Sequence, residues 1–158
     1  MVYSNLVISK LNIFMIEVNY LAVLVSALAA FAIGFIWHGP LFGKTWARLS
    51  GIDMSPEAMA KYKAEGKSMM KSYVLTIVGS LIMAYVLSHF ITMAAAYFEN
   101  PGIGRGLSTA FWAWLAFIAP VTLGGVLWEG KSWKLWFINA GYYLVTLLVM
   151  GAILAGWM

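Results

Sequence analysis

A chain of 158 residues with 63% hydrophobic and 10% charged side chains, mean hydropathy +0.84 and no cysteine lacks the polar residues to cover a water-facing surface. It reads as an integral membrane protein with room for one helical bundle and one modest loop, and a second domain does not fit. The missing cysteine excludes disulfides, thiolate metal sites and cysteine nucleophiles, and the net charge of +4 is better explained by membrane topology than by nucleic-acid binding.

The first stretch, Met1 to Ile16, is mixed in character. Ser4, Asn5, Ser9, Lys10 and Asn12 interrupt its apolar residues, and no small-residue cleavage site follows an apolar core, so it is not read as a signal peptide. Two readings stand: an extension lying on the bilayer, or residues ahead of a natural start at Met15. The second is favoured, which makes 1–14 an N-terminal extension and 15–158 a single membrane domain.

Four apolar segments of spanning length follow, near 19–37, 72–97, 107–128 and 134–157, each close to or above the ~20 residues that cross ~30 Å of hydrocarbon. Spans of this length satisfy their own backbone hydrogen bonds as helices, and they are too evenly apolar for barrel strands. The predicted fold is therefore all-α, a four-transmembrane-helix bundle.

The connections set the orientation. The first carries Lys44, Arg48, Lys61, Lys63, Lys67 and Lys71, and the third carries Lys131 and Lys134, against Lys10 and Arg105 on the opposite side. Positive residues are retained in the cytoplasm during insertion, so both connections are expected inside and both termini outside. Within the first connection, Gly39-Pro40-Leu41-Phe42-Gly43 predicts a turn. Ser55-Pro56-Glu57 then predicts a helix start, with a hydroxyl cap, a proline where its missing N–H is harmless, and an acid near the positive end. The short helix that follows offers Met59, Tyr62, Met69 and Met70 on one side and Lys61, Lys63, Lys67 and Lys71 on another. That suits a cytoplasmic interfacial helix; a solvated connector is the alternative.

Gly34-Phe35-Ile36-Trp37-His38-Gly39 and Gly125-Val126-Leu127-Trp128-Glu129-Gly130 each close an apolar run and precede Lys and Trp. The likeness suggests two parallel helix-pair repeats about an axis along the membrane normal, with Lys71 and Gly79 answered by Lys134 and Gly141. The alternative is that Trp and Gly are ordinary at a membrane boundary. The repeat places Trp37, His38, Trp128 and Glu129 at one cytoplasmic mouth, where His38 and Glu129 could pair as a proton-sensitive latch or stand separately in headgroup water.

His89 lies well inside the second span beside Ser88 and Thr92, satisfied by an interhelical hydrogen bond or serving as a relay or ligand contact. In the fourth span Asn139, Tyr142, Tyr143 and Thr146 share a broad polar face, a helix seam or the lining of a small cavity with Trp112, Trp114, Pro120 and Thr122 as neighbours. Pro120 is expected to kink the third span and free a carbonyl near residue 116. Gly34, Gly79, Gly141 and Gly151 are the expected helix-packing positions, with Ser26, Ala29, Ala30, Ala152 and Gly156 around them. No zinc motif and no heme signature is present, and no catalytic, cofactor or metal residues are assigned.

Glu17 to Val25, the Trp37-to-Trp46 segment with Phe42-Gly43-Lys44-Thr45-Trp46, and Glu129-Gly130-Lys131 followed by Phe137 to Tyr143 resemble the small bacterial membrane proteins grouped as domain of unknown function 1761. The resemblance covers about Met15 to the end of the sequence, which supports Met15 as the start, and it implies an inner-membrane protein with no assigned activity or site. The family pattern commonly has Tyr-Ser where this chain has His38-Gly39, which weakens an essential role for His38.

Two functions fit. The first is a non-enzymatic structural or accessory subunit, working through helix–helix association as a homo-oligomer or within a larger membrane complex. The alternative is a small-solute or ion transporter or channel, working as an oligomer past Asn139, Tyr142, His89 and the His38/Glu129 mouth. An enzyme is not expected, since no nucleophile–base arrangement or cofactor loop is recognisable. The expected partner is the lipid bilayer.

Overall fold

In a computed structural model, which describes residues 18–64 and 69–158, the chain is a bundle of antiparallel helices. Among the described residues four are long and apolar enough to cross a membrane: Tyr20–Leu41, Met70–Phe98, Ile103–Leu127 and Trp133–Gly156.

The first span comprises α1 (Tyr20–Ile36) and a π-helical turn over Trp37–Leu41. Asn19 caps α1, its side-chain oxygen accepting from the Ala22 N–H over 3.1 Å, while its amide donates to the Trp157 carbonyl at the far end of the chain. The turn expected over Gly39–Gly43 is instead a continuation of the helix: Pro40 cannot donate to the ladder, and the chain widens to an i→i+5 bond from the Phe42 N–H to the Trp37 carbonyl, 2.9 Å. Gly43 is required there, because a Cβ would lie 2.5 Å from the His38 carbonyl oxygen. A short α2 (Gly43–Leu49) follows, then α3 (Pro56–Ala64). Ser55 caps α3 through the Ala58 N–H at 3.2 Å, and Asp53 accepts from the Ser55 N–H at 2.8 Å. Lys67 and the 1–14 extension lie outside the described residues.

The second span is α4 (Met69–Phe98). The third begins at Gly102, whose φ of +119° suits only glycine, and comprises α5 (Ile103–Ala113), a second π-helical turn over Trp114–Ile118, and α6 (Ala119–Leu127). The interruption expected from Pro120 takes the form of this π turn, and the Thr122 hydroxyl donates back to the Ile118 carbonyl at 2.7 Å. The last span is α7 (Trp133–Gly156), capped by Ser132 through the Leu135 N–H at 3.2 Å.

Small residues let these helices meet. Gly106 and Ala110 of α5 face Gly151 and Ala155 of α7, and a Cβ on Gly151 would stand 2.6 Å from the Gly106 carbonyl oxygen and 2.9 Å from the Ala110 methyl. The two helices therefore touch backbone to backbone, as helices do in lipid, where apolar burial alone does not hold them together. Between α1, α4 and α7 the core is closed by Ser26, Ala27, Ala30, Ile91, Thr146 and Met150, all completely buried. The hydroxyl of Ser26 has no partner there among the described residues.

Candidate functional site

The fourth helix is the hub. Three tryptophans from different parts of the chain donate to three consecutive residues of α7: Trp37 to the Ile138 carbonyl at 2.9 Å, Trp46 to Oδ1 of Asn139 at 3.1 Å, and Trp114 to the Ala140 carbonyl at 2.8 Å. Consecutive helical residues point ~100° apart, so the donors approach from three sides. Each carbonyl keeps a second lone pair for such a bond beyond its helical one. Two of these tryptophans, Trp37 and Trp114, open the two π-helical turns. A fourth indole, on Trp136, donates outward to the Thr122 hydroxyl at 3.1 Å.

Below these bonds α6 leaves α7, and a cleft of about 490 Å³ opens at the end of the bundle that carries the first and third connections. Thr122 and Gly125 of α6 form one wall, and Trp136 and Asn139 of α7 the other, with Glu129 and Lys131 at the rim. A second cleft, of about 660 Å³, lies on the other side, where α4 diverges: none of Met70 to Gly79 is buried, whereas Ser80, Ala84, Leu87 and Ile91 are. The two share one ridge, made of His38, Trp46, Tyr142 and Tyr143. Within it the His38 ring meets Trp46 edge-on at 5.2 Å and Tyr142 at 4.8 Å, and Tyr142 meets Tyr143 at 5.0 Å.

The expected site residues fall into separate groups. His38 and Glu129 line the same smaller cleft but are not ion-paired. Glu129 bonds Lys131 at 2.6 Å, both largely exposed. The two motif tryptophans differ: Trp37 turns inward against Gly141, whereas Trp128 is 86% exposed and contributes no wall. Asn139, Tyr142 and Tyr143 do stand together in the smaller cleft, the two tyrosines on the ridge, but Thr146 is sealed in the core beyond it. His89 is elsewhere. Its Nδ1 lies 2.9 Å from the Tyr85 carbonyl one turn back on its own helix, and its ring packs on Tyr85 at 4.6 Å. It faces neither cleft, because α4 presents residues 72–83 to the larger one and His89 is nearly two turns further on.

Among the glycines, Gly34 receives Tyr142, Gly141 receives Trp37 and Gly151 receives Gly106. Gly79 packs against nothing: a Cβ there meets no atom within 4 Å, and the residue lines the larger cleft. Sequence reasoning passed over Gly106 and the anchoring role of Trp46. The matching Gly-x-x-x-Ala spacing of Gly106/Ala110 and Gly151/Ala155 was the available signal for the first; Trp46 has none, since its acceptor lies 93 residues away. Among the described residues no group of three histidine, cysteine or acidic side chains converges.

A four-helix, membrane-spanning bundle with an aromatic double cleft at one end is the class of protein defined by this geometry. The family model for proteins of unknown function DUF1761 matches residues 21–155, nearly the whole chain, and the protein belongs to that family. No curated protein and no solved structure matches it.

Proposed function

We propose that this is a non-enzymatic structural or accessory subunit of a bacterial inner membrane, with both termini outside, acting through helix–helix association. The observation that carries the reading is the closed core. Ser26, Ala27, Ala30, Ile91, Thr146 and Met150 are completely buried at the level where a path through one bundle would have to run, and both clefts end below it. The orientation rests on charge. The end with the two clefts carries Lys44, Arg48, Lys61, Lys63, Lys71, Lys131 and Lys134, while among the described residues only Arg105 stands at the other. There Arg105 lies 4.2 Å over the Phe98 ring. The exposed α3, with Lys61 and Lys63 in its last turn, suits a helix resting on the cytoplasmic headgroups. The π turns open at Trp37 and Trp114, whereas the repeated motif pairs Trp37 with Trp128, so an origin in a duplicated helix pair rests on the sequence likeness alone.

Transport as an oligomer is the second reading, and the two π turns are what favour it, since such turns are frequent at functional sites. Two measurements separate the readings. Gentle extraction from the native membrane is expected to yield a stoichiometric complex with itself or with a larger membrane protein. Reconstituted vesicles are expected to show no ion or solute flux above empty ones; a flux abolished by Asn139→Leu overturns the accessory role.

A further inference from the structure

The larger cleft has the shape and surroundings of a lipid site. On α4 its lining runs from Ser72 to Met83, about 16 Å of helix at 1.5 Å per residue, which is about one leaflet of a ~30 Å hydrocarbon core. It starts at the basic end and stops at the closed core. Phe31, Phe35, Tyr73 and Met83 make its walls largely apolar, and Gly79 lies open between them with nothing within 4 Å of where a Cβ would stand. A glycine within a spanning helix commonly marks the close approach of a neighbour, and this one has no neighbour within the chain. Of the polar lining, Ser72, Thr76 and His38 lie toward the basic end, and Ser80, deeper in, spends its hydroxyl on the Thr76 carbonyl at 2.9 Å.

Charge points to the headgroup. Lys71 immediately precedes Ser72 of the lining, and Lys44 lies on α2, the helix that brings Trp46 to the cleft; neither lysine lines the cleft itself, but both are exposed at its basic end and neither is ion-paired among the described residues. Glu129, the carboxylate at this end nearest the clefts, is already held by Lys131. Size argues against a second copy of the chain. A helix is 10–12 Å across with side chains and needs a flat face of small residues, whereas about 660 Å³ bounded by aromatic rings is the scale of a small-molecule site.

We propose that this cleft binds an anionic phospholipid of the cytoplasmic leaflet, one acyl chain running past Gly79 and the phosphate held between Lys44 and Lys71. The site goes beyond the accessory reading and does not depend on it, because lipid occupancy is measured on the isolated protein whether or not a partner exists.

The test is native mass spectrometry of the full chain in mild detergent, titrated separately with phosphatidylglycerol, phosphatidylcholine and inorganic phosphate. One phosphatidylglycerol per chain is expected to bind ahead of phosphatidylcholine. A lysine beside anionic headgroups is worth about fivefold in affinity, so Lys44→Gln with Lys71→Gln is expected to lower that preference about 25-fold. Gly79→Phe, which puts a ring into the open lining, is expected to remove retention of the lipid. Equal binding of the two phospholipids, competition by inorganic phosphate alone, or retention unchanged by Gly79→Phe would each overturn the site, as would a dimer that excludes lipid. If Gly79→Phe does not fold, the lysine variant and the headgroup comparison still decide, since neither alters the helix packing.

Discussion

The indole nitrogen of Trp46 and the side-chain oxygen of Asn139 are 3.1 Å apart, and this bond ties α2, outside the first span, to the central helix of the bundle. It also fixes the ridge between the two clefts, because Trp46 is a wall of both. Asn139→Leu is expected to loosen α2 without unfolding the bundle. The chain has no cysteine, so Ala47→Cys, at a buried position of α2, supplies a clean reporter. Loss of about 1 kcal/mol of interhelical bonding raises its labelling rate about fivefold; an unchanged rate would show that the bond does not hold α2 in place.

The crossing of α5 and α7 tolerates no added carbon. Gly106→Val and Gly151→Val each drive a side chain into the opposite backbone and are expected to cost about 2 to 3 kcal/mol or more, read as a lowered midpoint of thermal unfolding in detergent. Gly104→Val is the control on the same helix, with open space around it. Equal midpoints for the three variants would contradict the contact.

Tryptophan substitutions should divide by bonding. Trp37→Phe and Trp114→Phe each lose an N–H bond to an α7 carbonyl and are expected to cost about 0.6–1.7 kcal/mol. Trp128→Phe, at an 86% exposed side chain, is expected to stay within about 0.5 kcal/mol of the parent. The measurement is unfolding by denaturing detergent in mixed micelles, and a Trp128 variant as damaging as the other two would break the pattern.

The start of α3 should respond to acid. The Ser55 N–H and hydroxyl beside Asp53 hold its carboxyl below the usual carboxylate range. A carboxylate with a depressed folded-state pKa contributes stability that is present above its unfolded value, about pH 3.9, and is lost as pH falls through the folded value. Backbone amides at the start of α3 are therefore expected to lose protection only below about pH 4, with Asp53→Asn losing it at all pH values. Protection that declined between pH 5 and 7 would point to another group.

The spans and the capped α3 were legible because they depend on local properties. An apolar run of ~20 residues has few alternatives in a bilayer, and Ser55-Pro56-Glu57 acts within its own first turn. The site was legible only in part. Asn139, Tyr142 and Tyr143 share a helix face and stand together, but periodicity places His89 and Thr146 on faces without saying what those faces meet. Gly34 and Gly79 look alike in sequence. One receives a tyrosine ring and the other open space, because α4 leaves the bundle below Ser80, a tertiary event with no local signature. His38 and Glu129 reach one cleft, yet the lysine two residues along outcompetes a histidine 91 positions away for the carboxylate.

The three indole bonds to α7 also set an order of assembly. Trp37 leaves the ribosome 101 residues before its acceptor and Trp46 93 residues before its own, an interval on the order of 5–20 s at ordinary rates of synthesis. The first three spans thus enter the bilayer with those donors unspent, and the two clefts do not exist until the fourth helix arrives to supply their common wall. Whatever occupies them meets a protein already complete, and a chain stalled before residue 138 has no place to receive it.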